Sequence, residues 1–209
     1  MKKIGKILAA NRSEIAIRIF RAAEESGIKT AAIYSKEDRF AIHRFKTDES
    51  YLVGEGKGPI QAYLDIDSII KIAKDAKVDA IHPGYGFLSE SPELAEQCEK
   101  NDITFIGPSK EILKRFGNKT EAKKVAEEAK VGTVPSVLVT KENLKSVEKE
   151  VEKIGYPVIV KASWGGGGRG MRVVRSSNEL IDQITTAQSE SLKAFGKDEV
   201  FIEKFLEDA

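Results

Sequence analysis

Short apolar runs and amphipathic segments alternate along the first half of the chain. The run Lys6–Ala10 predicts a short buried strand. The segment after it carries apolar residues at helical spacing, namely Ile15, Ile19, Ala22 and Ala23. Asn11, followed by Glu14 three residues later, predicts a capping box at the start of this helix, and Gly27 favours its end in a left-handed conformation.

The same alternation returns further along this half. Strands are predicted at IKTAAIY, DAIHP and ITFIGP, a helix at residues 67–76, and another helix starting at Ser91-Pro92. Strands that alternate with helices in this way favour parallel pairing with helices on both faces of the sheet. We therefore expect an α/β domain with a Rossmann-like, mostly parallel sheet.

The pattern changes near FGNKTEAKK, at about residue 117. Asn118 and Glu121 are expected to cap a strongly charged helix, and Gly132 and Pro135 then break the pattern. Strands are predicted at 136–139, 157–161, 171–174 and 199–205, and helices at 142–154 and 178–195. This order predicts a small α+β unit, so we expect two domains, residues 1–117 and 118–209.

A glycine-rich segment, YPVIVKASWGGGGRGMRVVR, joins two predicted strands at residues 156–175. A dinucleotide fingerprint would need a helix after the glycines, and a Walker loop would need Gly-Lys-Ser/Thr, but MRVVR follows. A protein-kinase loop is excluded because the HRD and DFG motifs are absent. The remaining alternatives are a flexible hairpin tip and a mobile loop whose bare backbone approaches phosphates. Lys161 favours the second, since a lysine ending the apolar run PVIV is unexpected without an anionic partner.

The stretch IHPGYGFLSE has two interpretations. It places Tyr85 and Gly86 at the carboxyl end of a predicted strand, where ligands bind in open α/β sheets. Alternatively, it is a tight turn whose Tyr85 and Phe87 pack on the sheet. His82 is expected to be a hydrogen-bonded structural residue.

Two charged residues of the second half are also open to two interpretations. Without a ligand nearby, Lys119 would be a solvated surface lysine. Glu203, in the alternating run VFIEKFL, would be an ordinary exposed carboxylate. A nearby ligand would change the assignment of Lys119.

Composition argues against several classes of function. The 34 basic and 33 acidic side chains nearly cancel to a formal net charge of +1, which gives no electrostatic reason to expect nucleic acid or a membrane surface as a partner. Cys98, His43 and His82 cannot build a disulfide framework or a Cys/His zinc site. No apolar run approaches the ~18 residues of a membrane-spanning helix. A reducing, cytosol-like compartment fits best.

Six stretches together resemble the biotin carboxylase component of biotin-dependent carboxylases: KILAANRSEIAIRIFRA, IHPGYGFLSE, FIGP, FGNK, KASWGGGGRGMRVV and FIEKFL. They occur in the same order and extend across essentially the whole chain. AIHRFKTDESY, Trp164 and FGKDEVFIEK are most similar to the N-terminal part of pyruvate carboxylases, whereas acetyl-CoA and other acyl-CoA carboxylases share the longer motifs. The resemblance implies a pre-ATP-grasp domain in residues 1–117. In residues 118–209 it implies the first part of an ATP-grasp domain, with a small α+β lid subdomain.

The resemblance also implies a reaction and its partners. ATP activates bicarbonate, and the carboxyl group passes to biotin on a carrier domain outside this chain; in a pyruvate carboxylase, pyruvate then becomes oxaloacetate. The implied cofactors are ATP, Mg²⁺ and biotin. The parent protein is expected to be a homo-oligomer through biotin carboxylase dimers, in the bacterial cytoplasm or the mitochondrial matrix. A non-catalytic nucleotide-binding or interaction module is the alternative from another class.

Matched residue by residue, the resemblance implies three sites. Tyr85 and Gly86 match the rim of the biotin pocket, and Arg18 and Arg21 match the dimer contact. The residues that match the ATP site are Lys119, Lys161, Gly165, Gly166, Gly167, Gly168, Arg169, Gly170, Met171, Glu203, Lys204 and Leu206. The family's catalytic and metal-binding residues match no position here, so the chain is expected to be an N-terminal fragment that is inactive by itself.

Overall fold

The computed structural model describes residues 3–117, 119–140, 143–144, 146–163, 171–196 and 198–207. The chain forms two compact units, Met1–Lys114 and Arg115–Ala209. Their division lies inside a helix, Lys110–Gly117, whose last residue is the expected end of the first domain. Each unit has its own sheet.

The first unit contains a five-stranded sheet in the order β3-β2-β1-β4-β5, in which every neighbouring pair is parallel. Its strands are β1 (Lys6–Ala9), β2 (Lys29–Tyr34), β3 (Glu49–Leu52), β4 (Ala80–His82) and β5 (Thr104–Phe105). The helices are α1 (Ser13–Glu25), α2 (Pro59–Tyr63), α3 (Ile66–Asp75), α4 (Pro92–Lys100) and α5 (Lys110–Gly117), with a 3-10 turn at Ile42–Phe45. The predicted parallel α/β sheet is confirmed.

Both faces of this sheet are buried. Leu8 of β1 lies in a core with Ile69 of α3 and Leu94 of α4. Its neighbour Ala9 lies in a second core with Ile19 of α1. Because consecutive residues of a strand face opposite sides, a strand between two cores must be apolar on both. This is why β1 shows an apolar run rather than a polar–apolar alternation.

Helix α1 differs from the prediction at its start. Its N-cap is Arg12, with no side-chain cap hydrogen bond. The capping box predicted from Asn11 and Glu14 is therefore wrong, because the buried Asn11 side chain bonds the turn after β4 instead. The predicted end is confirmed, since α1 stops at Glu25 and Gly27 has a φ of 68°.

The apolar face predicted for α1 is confirmed in part. Ile19 and Ala23 are buried, as is Phe20 beside them. Ala22, which was predicted to lie on that face, is exposed. A small residue provides little area for burial, so the larger Phe20 holds the helix to the sheet more strongly.

The strand β3, the helices α2 and α5 and the 3-10 turn of the first unit were not predicted. β3 is an edge strand of four residues, ESYL, none of which is fully buried, so it carries no apolar run. α2 has five residues, too few to establish a period. Helices α3 and α4 are confirmed, and Ser91 caps α4 by accepting a hydrogen bond from the backbone N–H of Leu94.

The second unit contains a four-stranded antiparallel sheet in the order β6-β9-β7-β8. Its strands are β6 (Ser136–Val139), β7 (Val158–Ala162), β8 (Arg172–Val174) and β9 (Val200–Lys204). Its helices are α6 (Lys119–Glu128), α7 (Val147–Ile154) and α8 (Ser177–Phe195). These elements follow the order predicted for the α+β unit.

Helix α7 begins later than predicted, at Val147 instead of residue 142. Asn143 lies in a turn, where its Oδ1 accepts from the N–H of Thr140 at 2.8 Å and its Nδ2 donates to the carbonyl of Leu138 at 2.7 Å. An asparagine side chain that bonds nearby backbone groups competes with the helix for them, so the turn replaces the first helical turn. Asn118, expected to cap α6, lies outside the described residues.

Helices α7 and α8 cover one face of the second sheet. Val160 of β7 and Ile202 of β9 are fully buried and pack against Val151 of α7 and Ile184 of α8. The alternate residues of β7 on the opposite face are only half-buried. This second face, which we call the open face, therefore presents side chains of the strands themselves.

Candidate functional site

The open face brings together charged residues from β7 and β9. In the antiparallel register Lys161 is opposite Phe201, and Ile159 is opposite Glu203. Lys161 and Glu203 are therefore diagonal neighbours on one face, a separation that long side chains span. The Lys161 ammonium donates to Glu203 Oε2 at 2.7 Å.

Lys123, from α6, completes this arrangement. Its Nζ lies 2.6 Å from Glu203 Oε1, so each carboxylate oxygen of Glu203 has its own lysine. The Glu203 side chain is only 14% exposed, against 25% for Lys123 and 28% for Lys161. We call these three residues the lysine–glutamate cluster. The possibility that Glu203 is an ordinary exposed carboxylate is wrong.

The charge state of the cluster follows from these contacts. Burial raises the pKa of Glu203, but the hydrogen bonds and charges of Lys123 and Lys161 outweigh burial and hold that pKa below its ordinary value. Glu203 is thus ionised at neutral pH. Two positive charges then surround one negative charge, which leaves the open face positive at this point.

Lys161 was singled out because a lysine at the end of an apolar run needs an anionic partner. The structure provides one within the chain, namely Glu203. Glu203 therefore explains the lysine at this position, and the residue type by itself is not evidence for a bound phosphate. Lys123 was missed by sequence reasoning, although its position one helical turn after Lys119 could have indicated it.

An aromatic ring lies beside the lysine–glutamate cluster. Phe201 is almost fully buried, and its ring centroid lies 5.9 Å from Lys123 Nζ and 6.0 Å from Lys161 Nζ. Ammonium groups at such distances are attracted by a ring face. Phe201 therefore helps to hold both lysines over the sheet.

Met171 and Leu206 lie at different ends of the open sheet. Met171 directly precedes β8, whose Arg172 pairs with Val160, so it lies at the Lys161 end. Leu206 follows β9, whose Lys204 pairs with Val158, so it lies at the other end. Met171 is 47% exposed and Leu206 is 56% exposed, which leaves both available as apolar contacts.

Lys204 is engaged within the fold. Its Nζ donates to the carbonyls of Gly155 and Tyr156, at 3.1 and 3.0 Å, and its backbone N–H donates to Pro135. Its ammonium therefore fastens the turn before β7. The ladder continues to Phe205, whose N–H donates to the carbonyl of Pro157.

Several expected site residues cannot be located from the structure. The Lys119 side chain, at the start of α6, lies outside the described residues. So do Trp164, Gly165, Gly166, Gly167, Gly168, Arg169 and Gly170.

In the first unit, Asn11 ties together the turns that follow β1 and β4. Its Nδ2 donates to the carbonyls of Pro83 and Tyr85 at 2.7 and 2.9 Å, and its Oδ1 accepts from the N–H of Arg12 at 2.9 Å. Gly84 fits against it: a Cβ there would lie 2.7 Å from Asn11 Nδ2, and its φ is +69°. β1 and β4 are neighbours, and the chain continues from β1 toward one side of the sheet and from β4 toward the other. Ligands in open α/β sheets usually bind at such a switch point.

Tyr85 and Gly86 line a hollow of about 330 Å³ beside this turn. Tyr85 is 63% exposed and donates from its hydroxyl to Glu14 Oε2 at 2.7 Å, so the possibility that it packs on the sheet is wrong. Phe87 does pack inward, stacked on Tyr63 at 5.1 Å between ring centroids. His82 is structural as expected, because its Nδ1 accepts from the N–H of Gly84 and burial lowers its pKa.

Arg12 fixes the far wall of this hollow. Its guanidinium lies 5.6 and 5.7 Å from the ring centroids of Tyr63 and Phe87, and its Nη1 lies 3.1 Å from Asp38 Oδ2. Burial raises the pKa of Asp38, but the hydrogen bonds from Tyr63 and Arg12 outweigh it and lower that pKa. Arg12 was not identified from the sequence.

Arg18 and Arg21, expected to contact a second subunit, both lie on the exposed surface of α1. The Arg18 Nε lies 3.9 Å from Glu14 Oε1 one helical turn earlier. An exposed pair at this distance contributes little to stability.

Two features are absent from the described part of the chain. No three His, Cys, Asp or Glu side chains there are grouped so as to hold a metal ion. No helix there combines the length and the apolar character needed to cross a bilayer. Cys98 is buried, which raises the pKa of its thiol to about 12 and keeps it protonated.

Comparison with known protein families assigns both halves of the chain. Residues 3–113 match the biotin carboxylase, N-terminal domain family. The chain belongs to the biotin carboxylase family. Residues 118–209 match the ATP-binding domain of the carbamoyl-phosphate synthase L chain. The biotin carboxylase resemblance is thereby confirmed.

Similar curated proteins are pyruvate carboxylases. The Bacillus subtilis enzyme is 56% identical over 207 residues, and the human mitochondrial enzyme is 50% identical over 206 residues. Each alignment covers 99% of this chain and 18% of the relative. The chain thus corresponds to the N-terminal part of the biotin carboxylase region of much longer proteins.

Solved structures agree with this assignment. A Rhizobium etli pyruvate carboxylase with the allosteric activator acetyl coenzyme A matches with a TM-score of 0.84 and 54% identity, over 98% of this chain and 18% of that one. A Campylobacter jejuni biotin carboxylase in complex with β,γ-ATP matches with a TM-score of 0.89 and 40% identity, over 99% and 46%. The fold described above is therefore that of biotin carboxylases.

Proposed function

We propose that this chain is the N-terminal part of a biotin carboxylase that uses ATP and bicarbonate to carboxylate biotin, within a pyruvate carboxylase that converts pyruvate to oxaloacetate. The observation that carries the proposal is the lysine–glutamate cluster on the open face of the unit that matches an ATP-binding domain. In this assignment residues 1–117 are the pre-ATP-grasp domain. Residues 118–209 begin the ATP-grasp domain.

The open face has the chemistry that a nucleotide requires. Lys161 supplies a partly exposed ammonium for a phosphate, with the exposed Met171 at the same end of the sheet, and the exposed Leu206 supplies apolar surface for a base at the other end. Their positions at opposite ends of the sheet suit a ligand that extends along it. We assign the adenine edge to the main chain of Glu203, Lys204 and Leu206.

The remaining nucleotide contacts are proposed from the family resemblance. Lys119 would meet the phosphates together with Lys161, and the residues of Gly165–Gly170 would cover them with backbone N–H groups. Positive charge and N–H donors in a site that excludes water stabilise the charge that develops during phosphoryl transfer. The ATP-binding match over residues 118–209 supports this assignment.

Mg²⁺ is not assigned to residues of this chain. Within the described ranges no group of acidic side chains is assembled for a metal ion, and Glu203 is committed to two lysines. A carboxylate with both oxygens engaged is a poor ligand for a hard cation. We therefore derive no step through Mg²⁺ here.

Biotin would meet the first unit, and bicarbonate would bind parts of the protein outside this chain. The hollow beside Tyr85 and Gly86 suits one wall of a small-molecule site, and the Asn11 bonds keep that wall in place. A carrier domain would deliver biotin there, and Arg18 and Arg21 would contact a second subunit. The relatives point to the bacterial cytoplasm or the mitochondrial matrix as the compartment.

The test uses the complete protein that contains this sequence. It should release phosphate from ATP in a bicarbonate- and biotin-dependent manner, and consume pyruvate as the final acceptor. Consumption of acetyl-CoA or another acyl-CoA instead would move the assignment to acyl-CoA carboxylases. Absence of nucleotide binding, measured by calorimetry, would leave a non-catalytic interaction module as the better interpretation.

A further inference from the structure

We propose that Lys123 is a positioning residue for nucleotide binding: it keeps Glu203 neutralised while Lys161 leaves Glu203 to bind a phosphate. The inference rests on the proposed function, in which Lys161 meets the phosphates of ATP. It adds a role for a residue that does not itself touch the ligand. The observation behind it is that Glu203 has one lysine on each carboxylate oxygen.

Glu203 cannot be left without a cationic partner at low cost. Its side chain is 14% exposed, and a largely buried carboxylate that loses its partner keeps the full penalty of desolvation. If Lys161 were the sole cation on Glu203, a phosphate would have to compete with that ion pair for the same ammonium. Lys123 at 2.6 Å removes this competition, because Glu203 stays paired when Lys161 turns away.

The two lysines are held differently, and this decides which one moves. Lys123 Nζ also donates to the carbonyl of Val134 at 3.1 Å, so two acceptors from separate segments fix its position. Lys161 Nζ donates to Glu203, and both lysines share the ring of Phe201. Turning Lys161 toward a ligand therefore breaks fewer of the described contacts than turning Lys123.

The exchange balances charge as well as geometry. Before binding, two ammonium groups face one carboxylate; afterwards, Lys123 pairs with Glu203 and Lys161 pairs with the phosphate. No buried charge is left unpaired in either state, and no proton needs to move. Glu203 thus keeps Lys161 close to the ligand, and Lys123 allows Lys161 to leave Glu203 when the phosphate binds.

The experiment measures the dissociation constant of ATP for the complete protein by isothermal titration calorimetry. Lys123→Met keeps the aliphatic stem of the side chain and removes its charge, and we expect it to raise the dissociation constant about tenfold. Adding Glu203→Gln to Lys123→Met should restore most of the affinity, because a neutral amide no longer retains Lys161. Lys124→Met is the matched control: Lys124 is the next residue of α6, 60% exposed, and pairs with Glu121 on the surface.

The results separate this role from its alternatives. A loss in Lys123→Met that Glu203→Gln does not restore would mean that Lys123 contacts the phosphate directly, and would overturn the inference. Wild-type affinity in both Lys123→Met and the milder Lys123→Gln would overturn it as well. If Lys161→Met lowers affinity at the same time, the proposed function stands; if wild-type protein binds no ATP, both fail. Circular dichroism of each variant verifies that it is folded.

Discussion

In the first unit the parallel sheet has a core on each face, whereas among the described residues of the second unit the core lies on one face of the antiparallel sheet. The candidate residues follow this difference. Asn11, Tyr85 and Gly86 stand in turns beyond the carboxyl ends of strands, while Lys161 and Glu203 stand on the strands themselves. A sheet buried on both faces can offer a ligand only the ends of its strands, whereas a sheet with one open face can offer the side chains of the strands.

The difference in burial predicts the largest effects. Ile7→Ala and Leu8→Ala, adjacent in β1, should each lower the free energy of unfolding of the first unit by about 3 kcal/mol, because both side chains are buried. In the second unit Ile202→Ala should cost about as much. Ile159→Ala on the open face should cost only about 1 kcal/mol, since this side chain is half-buried. Chemical denaturation measures all four; equal costs for Ile159 and Ile202 would contradict a one-sided core.

The next effect concerns the turns at the carboxyl ends of β1 and β4. Asn11→Ala removes two hydrogen bonds to the carbonyls of Pro83 and Tyr85 from a nearly fully buried position, and should lower the free energy of unfolding by about 2 kcal/mol. Asn101→Ala, which removes one bond to the carbonyl of Gln97 at the end of α4, is the control and should cost less than half as much. Similar costs would mean that Asn11 does not hold the turn.

A pair of glycines in the same turn separates close packing from backbone conformation. Gly84 and Gly86 have φ values of +69° and +67°, but a Cβ at Gly84 would lie 2.7 Å from Asn11 whereas one at Gly86 would meet no atom within 4 Å. Gly86→Ala should cost about 1 kcal/mol for its left-handed conformation alone. Gly84→Ala should lower the free energy of unfolding by more than Gly86→Ala does, and thermal unfolding of both variants measures the difference. If the two variants were equally stable, the fit between Gly84 and Asn11 would be disproved.

The smallest effect lies on the open face and depends on pH. The pKa of Glu203 is lowered in the folded protein, so its ion pairs stabilise the fold above the ordinary glutamate value of 4.5 and lose this effect as the pH falls through the lowered pKa. At pH 7 Glu203→Gln should lower the free energy of unfolding by about 1 kcal/mol. The difference in the free energy of unfolding between the variant and the wild type should disappear at acidic pH. A gap that widened as the pH fell would reverse the assigned direction.

Particular elements illustrate how far the sequence could lead. The apolar runs of β1 and β7 and the alternating run VFIEKFL of β9 identified these strands, because buried and half-buried strands leave such patterns. The edge strand β3 carries no such pattern and was missed. Asn11 was interpreted as a helix cap because the local spacing fits a capping box, yet the two carbonyls that accept from its Nδ2 lie more than 70 residues away along the chain.

The sequence by itself determined most of the order of elements, the change from an α/β to an α+β unit, and the family motifs, since all of these depend on residues close together along the chain. The tertiary structure decided which charges meet. Lys123, Lys161 and Glu203 come from a helix and two strands, and no spacing in the sequence indicates that both lysines share one carboxylate. Ion pairs form between elements that packing brings together. The apolar pattern of the sequence predicts these elements, but it does not predict which charged residues pair.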